Sequence, residues 1–314
     1  MPFTHHSHSG QFCEGHARNS LEEVIQTAVA KKMRVIALSE HMPREQQDFY
    51  PEEIEANGTE ADLIANEAAY FKEAQRLREK YVSKINILIG FESDWIRPSS
   101  LKWIRESLAR FPFDFFVGSV HHVHTVPIDF DTPFYHKARE IAGGTDEKLF
   151  GDYFDAQLAM LKAIKPPVVG HFDLIRLKSD DPERSFKQWP GIWEKILRNL
   201  DYVAEYGGLL ELNSASLRKG MSEPYPKAEI CQAMQEFLAR NGRFCLSDDS
   251  HGVDQVALNY HRVLDFIEEV GITTLYSLEY CSDLPPSSSF DPRFPRTRLN
   301  SVGLANLKQL EFWS

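Results

Sequence analysis

The chain alternates between short apolar runs and longer stretches in which apolar residues recur with helical spacing. The short runs predict buried strands at residues 2–5, 34–39, 85–90, 114–119, 168–170, 209–212 and 243–246. The longer stretches predict helices at residues 21–32, 60–81, 99–110, 146–165, 188–205, 227–240 and 254–270. Because strand and helix alternate, we expect an α/β fold of parallel strands joined by right-handed crossovers.

Four segments lie outside this alternation. Residues 43–59 are polar and predict a surface excursion, and residues 124–146 predict a long loop. Residues 272–278 predict a last extended piece, and residues 282–298, rich in Pro, Ser and Arg, predict another loop. No domain boundary or internal repeat is evident, so we expect residues 1–314 to form a single domain.

Residue types that bind metals come directly after the predicted strands. They come from six strands and are His6, His8, His41, Glu92, His121, His171, Asp249 and His251. In a barrel of parallel strands the carboxyl ends converge on one face, so residues far apart in sequence meet there. A ninth candidate, His16, lies in a loop, where Cys13 or Glu14 is an alternative ligand. The pattern predicts a metal site at the carboxyl-terminal ends of the strands.

The number and type of these ligands indicate the metals. Nine ligands are too many for one ion and suit two or three divalent ions, with Glu92 as a bridging carboxylate. Nitrogen and carboxylate ligands without thiolate favour Zn, Mn or Fe. Three divalent ions among neutral imidazoles and two carboxylates would leave roughly four net positive charges, for which a phosphate is a natural guest.

Other histidines and acids have different expected roles. An expression tag is the alternative explanation for the histidines of the first sixteen residues, but Ser, Gly, Cys and Glu interrupt them and a predicted helix follows. Five histidines are not expected to be ligands: His5, His122, His124, His136 and His261. Asp94, Asp173 and Asp248 are candidates for orienting the ligands. The spacing to His251 favours Asp249 over Asp248 as the ligand.

Composition narrows the choice of partners and compartment. The net charge is −11, which argues against nucleic acid or an anionic membrane as a partner. The four cysteines are scattered without a CxxC motif, which suits a reducing compartment. We find no secretory or transit signal and no apolar run of the ~20 residues that a membrane span needs. The cytoplasm is the expected location.

Six short motifs within residues 6–251 resemble, in order, those of the PHP (polymerase and histidinol phosphatase) superfamily. They are His6-Ser7-His8, Ser39-Glu40-His41, Gly90-Phe91-Glu92, Gly118-Ser119-Val120-His121, Gly170-His171-Phe172-Asp173 and Asp249-Ser250-His251. The resemblance implies a distorted (β/α)7 TIM-like barrel. It also implies three metal sites: the first with His6, His8, Glu92 and Asp249, the second sharing Glu92 and adding His121 and His171, and the third with His16, His41 and His251.

Three further stretches resemble the monofunctional histidinol-phosphate phosphatases of this superfamily. They are residues 39–43 (SEHMP), 170–176 (GHFDLIR) and 211–219 (ELNSASLRK). The resemblance implies hydrolysis of L-histidinol phosphate to L-histidinol and phosphate in histidine biosynthesis. Thr4 stands where many relatives have Asp, which puts one contact behind the ligands in doubt.

These expectations lead to a mechanism. A hydroxide bridging two metal ions would attack the phosphorus in line, with Glu92, Asp249 and His251 as the catalytic residues of the metal site. Arg176 and Arg218 are expected to bind the phosphoryl oxygens, because guanidinium groups suit bidentate phosphate binding. The substrate's ammonium or imidazole group is expected to meet three polar residues: Glu211 and Asn213 at a strand end, and Asp94.

Two alternatives remain open. A PHP exonuclease or another phosphoesterase would share the metal site, but an exonuclease needs a basic track that this acidic chain lacks. A regulatory or storage protein could bind metals without turnover. Neither GxSxG nor GxxxxGK[ST] occurs, so a serine nucleophile of that type and P-loop nucleotide hydrolysis are not expected.

Overall fold

The computed structural model describes residues 2–12, 15–236 and 241–313. In this part of the chain the strands are β1 Phe3–Thr4, β2 Val35–Leu38, β3 Asn86–Ile89, β4 Glu92–Asp94, β5 Val117–Ser119, β6 His122–Val123, β7 Val126–Pro127, β8 Val168–Val169, β9 Leu209–Asn213, β10 Arg243–Ser247, β11 Thr274–Tyr280 and β12 Thr297–Gly303. The α-helices are α1 Leu21–Ala30, α2 Pro51–Glu55, α3 Glu60–Tyr81, α4 Ser100–Arg110, α5 Thr132–Ile141, α6 Asp146–Ile164, α7 Pro190–Tyr206, α8 Ala215–Arg218, α9 Ala228–Gln235, α10 Tyr260–Val270 and α11 Leu304–Leu307.

Parallel strands form a closed barrel with seven strand positions. The paired order is β1-β2-β3 and β4-β5-β8-β9-β10, and β3 and β4 occupy one position in succession. The ring closes between β1 and β10, where His5 N donates to Leu246 O (3.2 Å) and Asp249 N donates to His6 O (3.1 Å). The predicted α/β barrel is therefore confirmed, with one strand position interrupted.

The interruption lies at Gly90, between β3 and β4. A Cβ atom at Gly90 would lie 2.3 Å from Cε1 of Phe115, so a larger residue would force the backbone out of place. The chain nevertheless keeps its position beside the preceding strand, because Gly90 N donates to Leu38 O (2.9 Å) and Glu92 N donates to Glu40 O (3.0 Å). Glu92 was expected after a strand; it is the first residue of β4.

Amphipathic helices surround the barrel, and the hydrophobic core lies between them and the strands. Helix α1 begins with a capping box in which Ser20 and Glu23 satisfy each other's backbone amides. Helix α3 begins in the same way at Thr59 and spans the residues predicted for it. Among the described residues, no helix combines the length and apolarity that crossing a membrane requires.

Residues 124–146 are not the long loop that the sequence predicted. Strands β6 and β7 form a hairpin, and α5 follows it. The Asp131 side chain accepts from Phe134 N and caps α5, which buries Tyr135 and Ala138. The hairpin turn was missed because His124 and Thr125 occupy its left-handed positions, at φ 53 and 64, where glycine or asparagine is the usual signal.

Other predicted boundaries also change. The segment 43–59 contains α2 and the 3₁₀ turn Gln46–Asp48 rather than only irregular structure. Helix α10 begins at Tyr260 instead of residue 254, because residues 252–259 form turns. Residues 237–240 of the predicted helix 227–240 lie outside the described residues.

An antiparallel hairpin of β11 and β12 covers the amino-terminal end of the barrel. The extended piece predicted at 272–278 is confirmed as β11, whereas the end of the predicted loop 282–298 is already β12. Leu278 N donates to Nε2 of His5 (2.7 Å), and the Asn86 side chain bonds the Tyr280 carbonyl (2.8 Å) and amide (2.9 Å). The opposite end of the barrel stays open for a site.

Candidate metal centre

The metal-type residues meet at the carboxyl-terminal face of the barrel, and Glu92 lies at their centre. Its Oε2 is near three histidines, at 3.3 Å from His6 Nε2, 3.5 Å from His8 Nε2 and 3.2 Å from His41 Nδ1. Its Oε1 lies 3.1 Å from His171 Nε2 and 3.3 Å from His121 Nε2. The two oxygens therefore face two different sets of histidines, as a bridging carboxylate requires.

Asp249 completes the first set. Its Oδ1 lies 3.6 Å from His6 Nε2 and 3.5 Å from His8 Nε2. Asp249 adopts a left-handed backbone conformation, with φ of 47, which turns the chain at the end of β10. The structure thus brings together the four residues that the resemblance assigned to one ion: His6, His8, Glu92 and Asp249.

The other two sets also form clusters. His121 Nε2 and His171 Nε2 lie 3.1 Å apart beside Glu92. His16 Nε2 and His251 Nε2 lie 2.9 Å apart, and the His16 and His41 rings are 5.1 Å apart between centroids. His251 Nδ1 lies 2.8 Å from the Asp249 carbonyl, so Nδ1 carries the hydrogen and Nε2 is left with its lone pair.

The residues present fit metal ions. Nε2 of His6 and both ring nitrogens of His8 are buried and form no hydrogen bond with any described residue. Three groups each bring three ligand atoms within 4.8 Å of one another: His8, His41 and His251; His6, Glu92 and His171; His6, His8 and Asp249. Buried polar atoms normally have partners, and imidazole with carboxylate is a donor set that Zn, Mn and Fe accept.

Burial and charge set the protonation of these ligands. Burial lowers the pKa of His16 to about 4, with repulsion from His8 as the second cause. Burial likewise holds the pKa of His41 and His251 well below the usual value. Burial alone would raise the pKa of Glu92, but nearby histidines, His6 first, hold it well below its usual range. These four groups are therefore deprotonated at neutral pH, which is the state that binds a metal ion.

Glu211 and Asn213 lie beneath the metal centre and do not line the cavity that is described below. Their position differs from the role expected of them, which was to receive the substrate's ammonium or imidazole group. Glu211 Oε2 lies 3.1 Å from His6 Nδ1, and its Oε1 accepts from His171 N at 2.8 Å and from Asn213 Nδ2 at 2.6 Å. Asn213 Oδ1 accepts from Ala215 N at 2.8 Å. Both side chains are fully buried. Glu211 is placed to orient the His6 ring and to hold the His171 backbone, and Asn213 holds Glu211 in place.

Asp94 is also a supporting residue and not a substrate contact. Its Oδ1 lies 3.5 Å from Nδ1 of both His121 and His122. Burial opposes ionisation of Asp94, but these histidines, His122 first, hold its pKa well below the usual range. Asp94 is thus placed to orient His121 from behind.

The segment that carries Asp249 is held by Asp248. Thr4 Oγ1 donates to Asp248 Oδ1 (3.1 Å), which also accepts from Ser250 N (3.1 Å), while Oδ2 accepts from Ala257 N (2.6 Å). Burial raises the pKa of Asp248 to about 6. The threonine at position 4 therefore keeps a contact behind the ligands.

Glu40 supports His8 and was missed from the sequence. Glu40 Oε1 accepts from Ser9 N (2.8 Å) and Ser9 Oγ (2.6 Å), and Oε2 lies 3.9 Å from His8 Nδ1. Burial raises the pKa of Glu40 to about 7. Its position directly before His41, in one of the quoted motifs, was the available signal.

Of the two arginines expected to bind phosphate, the structure brings only Arg218 to the cavity. Arg176 is 1% exposed, and its guanidinium bonds Asp173 Oδ2 at 2.9 Å and the carbonyls of Glu223 and Pro224 at 3.2 and 2.9 Å. Arg176 therefore ties two loops together. Arg218 is half-buried in the cavity wall, where it donates to the Asp249 carbonyl at 3.0 Å.

A cavity of about 830 Å³ opens over the ligands. Seven of the nine candidate ligands line it: His16, His41, Glu92, His121, His171, Asp249 and His251. His6 and His8 are buried. Tyr50, Glu52, Asp129, Phe130 and Lys219 also line the cavity. Four of them, Tyr50, Glu52, Asp129 and Phe130, were not predicted because they lie on segments 43–59 and 124–146, for which the sequence indicated no regular structure. Lys219 lies in the stretch 211–219, beside Arg218.

The remaining histidines lie away from the centre or point elsewhere. His5 accepts from Leu278 N at the closed end of the barrel. His124 lies 2.7 Å from the exposed carboxylate of Asp152, and the His261 ring packs against Trp313. His136 is an exposed residue of α5. Cys13 and Glu14, the alternatives to His16, lie outside the described residues.

Comparisons with known proteins agree with this architecture. The PHP domain model matches residues 4–215. A Schizosaccharomyces pombe protein described as "probable histidinol-phosphatase" is 42% identical over 281 residues, 89% of this chain and 90% of the relative. The Saccharomyces cerevisiae histidinol-phosphatase is 32% identical and covers 91% of this chain and 92% of its own length.

A solved structure shares the fold. It is the histidinol phosphate phosphatase HisK of Lactococcus lactis in complex with zinc, L-histidinol and phosphate, with a TM-score of 0.64 and 20% identity. The match covers 88% of this chain and 95% of that protein. With the sequence matches above, it follows that this chain belongs to the PHP domain family, in the group that contains the histidinol-phosphatases.

Proposed function

We propose that this protein hydrolyses L-histidinol phosphate to L-histidinol and phosphate, a step of histidine biosynthesis. The observation that carries the proposal is the convergence of nitrogen and carboxylate ligands from six strands under a cavity of about 830 Å³. The similarity to a relative described as "probable histidinol-phosphatase", 42% identical along 89% of this chain, supports this choice of substrate. A storage protein would not need such a cavity above its metal ligands.

The proposed cofactors are two to three divalent ions, Zn, Mn or Fe. We assign His6, His8, Glu92 and Asp249 to one ion, Glu92, His121 and His171 to another, and His16, His41 and His251 to a third. When bound, such ions lower the pKa of water and polarise a phosphoryl oxygen.

The chain's own residues supply the rest of the chemistry. Glu92 holds two sets of histidines at fixed separation through its two oxygens. Asp249 is ionised at the cavity, and its Oδ1 would hold a metal ion together with His6 and His8. Arg218 and Lys219 place positive charge in the cavity wall for the phosphoryl oxygens. His251 Nε2 presents a lone pair to the same space.

The test is phosphate release from L-histidinol phosphate by the purified chain, with and without added Mn or Zn. His171→Ala and Asp249→Ala should abolish release and reduce the bound metal measured by elemental analysis. His136→Ala is the matched control, because His136 is exposed on α5, and it should retain both. Circular dichroism checks that each variant is folded.

If the protein hydrolyses p-nitrophenyl phosphate but releases no phosphate from L-histidinol phosphate with any added metal, the proposed substrate is wrong. That result would leave a phosphoesterase that acts on another compound. Loss of metal binding without loss of release would reject the proposed metal centre.

Two broader properties belong to the same proposal. We infer that residues 1–314 act as one barrel domain, which the pairing of β1 with β10 supports. The buried thiols of Cys231 and Cys245, both free of disulfides, support action in the cytoplasm.

A further inference from the structure

The cavity above the metal centre has two walls of opposite character. Beside Asp249 and His251, the wall carries the cationic Arg218 and Lys219. The wall formed by segments 43–59 and 128–131 carries two aromatic rings and two carboxylates: Tyr50, Phe130, Glu52 and Asp129. A guest that fills the cavity therefore meets positive charge on one wall and negative charge beside aromatic rings on the other.

Neither carboxylate of the second wall is part of the metal centre. Glu52 and Asp129 form no side-chain hydrogen bond or ion pair with any residue that the structure describes. Elsewhere in the cavity, carboxylates are engaged: Glu92 and Asp249 lie among histidines. Asp129 is therefore a carboxylate that no described side chain pairs, in the wall of a binding cavity, and such a group favours a cationic ligand.

The aromatic rings lie next to Asp129. The Tyr50 and Phe130 rings stack across the two segments, with centroids 5.8 Å apart and planes 23° apart. Phe130 is 39% exposed although it is large and apolar. An exposed aromatic ring at a cavity rim, beside a carboxylate, suits a flat cationic or heteroaromatic group.

The segment that presents Asp129 is anchored at both ends. Ile128 N donates to the His121 carbonyl (2.9 Å), and Asp131 Oδ1 accepts from Phe134 N (2.8 Å) as the cap of α5. Asp129 is consequently held in position before any ligand arrives, which lowers the entropy cost of binding.

From this arrangement we propose that Asp129 binds the ammonium group of the substrate, while Tyr50 and Phe130 pack against its imidazole ring. The inference rests on the proposed function and deepens it, since it assigns the residues that select L-histidinol phosphate over phosphate esters without an ammonium group. The phosphate lies at the metal ions and Arg218, and the organic cation lies at the opposite wall.

Asp129 is chosen over Glu52 on position. Glu52 also borders a second cavity of about 500 Å³, lined by Phe12, Phe49 and Leu63. Asp129 borders only the metal-site cavity among the cavities described and directly precedes the ring that stacks on Tyr50.

The experiment compares a substrate that carries an ammonium group with one that does not. Asp129→Asn should lower kcat/KM for L-histidinol phosphate by about tenfold to 100-fold, because a hydrogen bond between charged groups is lost. It should change kcat/KM for p-nitrophenyl phosphate by no more than about twofold, since that ester has no ammonium group. The inhibition constant of L-histidinol should rise by the same factor by which kcat/KM for L-histidinol phosphate falls. The inhibition constant of inorganic phosphate should not change.

Two further variants sharpen the result. Asp283→Asn removes an exposed carboxylate outside the cavity and should behave as the wild type. If Glu52→Gln produces the selective loss and Asp129→Asn does not, the assignment to Asp129 is wrong. Equal losses on both substrates in Asp129→Asn, or no loss on either, would also overturn it. A wild type that does not hydrolyse L-histidinol phosphate at all would instead reject the proposed function.

Discussion

Replacing Glu211 by glutamine changes one buried charge directly beneath the metal centre. The side chain keeps its size, and its oxygen can still accept from His171 N and Asn213 Nδ2, which now bond Oε1 at 2.8 and 2.6 Å. The amide nitrogen would take the place of Oε2, 3.1 Å from His6 Nδ1. An amide nitrogen donates a hydrogen bond, whereas the carboxylate accepts one.

The consequence falls on the tautomer of His6. With Glu211, Nδ1 carries the hydrogen and Nε2 faces Glu92 and Asp249 with its lone pair. With glutamine, the nearer partner of Nδ1 becomes a donor, which favours a hydrogen on Nε2 and so weakens Nε2 as a metal ligand. Loss of such a supporting contact typically weakens metal binding by about 10-fold to 100-fold, or roughly 1.4 to 2.8 kcal/mol.

The assay is a competition between the protein and a fluorescent zinc chelator at pH 7.5, with thermal unfolding as a check on folding. Glu229→Gln is the matched control, since Glu229 accepts from Ser185 Oγ and Phe186 N (both 2.7 Å) away from the metal centre. Activity of Glu211→Gln should recover in part at saturating metal. Equal metal affinity of Glu211→Gln and wild type would refute the assignment of Glu211 as the residue that orients His6.

Three other outcomes are expected. Burial lowers the pKa of His5 to about 4, so His5 gives the folded protein stability that is present above pH 6.5 and is lost as the pH falls. Between pH 7 and pH 5, the free energy of urea unfolding should therefore fall by about 2 kcal/mol more in the wild type than in His5→Gln. Equal losses in the two proteins would contradict this. Arg176→Ala should lower the free energy of unfolding by about 3 kcal/mol, because it removes the guanidinium partner of the buried Asp173. Inhibition by phosphate should not change in this variant. Weaker inhibition would show that Arg176 does bind phosphate. Removal of metal by a chelator should lower the melting temperature and zinc or manganese should restore it, since Nε2 of His6 and both ring nitrogens of His8 are buried and find no hydrogen-bond partner in the described part of the chain. An unchanged melting temperature would argue against a metal centre.

The fold could be predicted well from the sequence, because the spacing of apolar residues in helices and strands is a local pattern. Helix α3 matches its prediction at both ends, since Thr59 caps it and its apolar residues recur regularly. The ligands were also predictable, because in a parallel barrel every strand end contributes to one face. The hairpin in residues 124–146 was not predicted, because its turn carries His124 and Thr125 at left-handed positions instead of glycine.

The roles of polar residues near strand ends were harder to predict, because depth along the barrel decides them. Glu211 and Asn213 belong to β9 itself, so their side chains lie one layer below the ligands and are fully buried. Arg176 illustrates a second difficulty. Its carbonyl partners at Glu223 and Pro224 are 47 and 48 residues away, so nothing in its local sequence distinguishes an arginine that ties two loops from one that binds phosphate.

The closure of the barrel between β1 and β10 has a consequence for how the protein is made. His6 and Asp249 belong to one metal group, yet a ribosome synthesises them 243 residues apart. A growing chain lacks Asp249, and with it the group of His6, His8 and Asp249, until β10 has emerged and lies beside β1. The complete metal centre therefore forms only when the ring is closed, and the ions then stabilise finished barrels in preference to partly made ones.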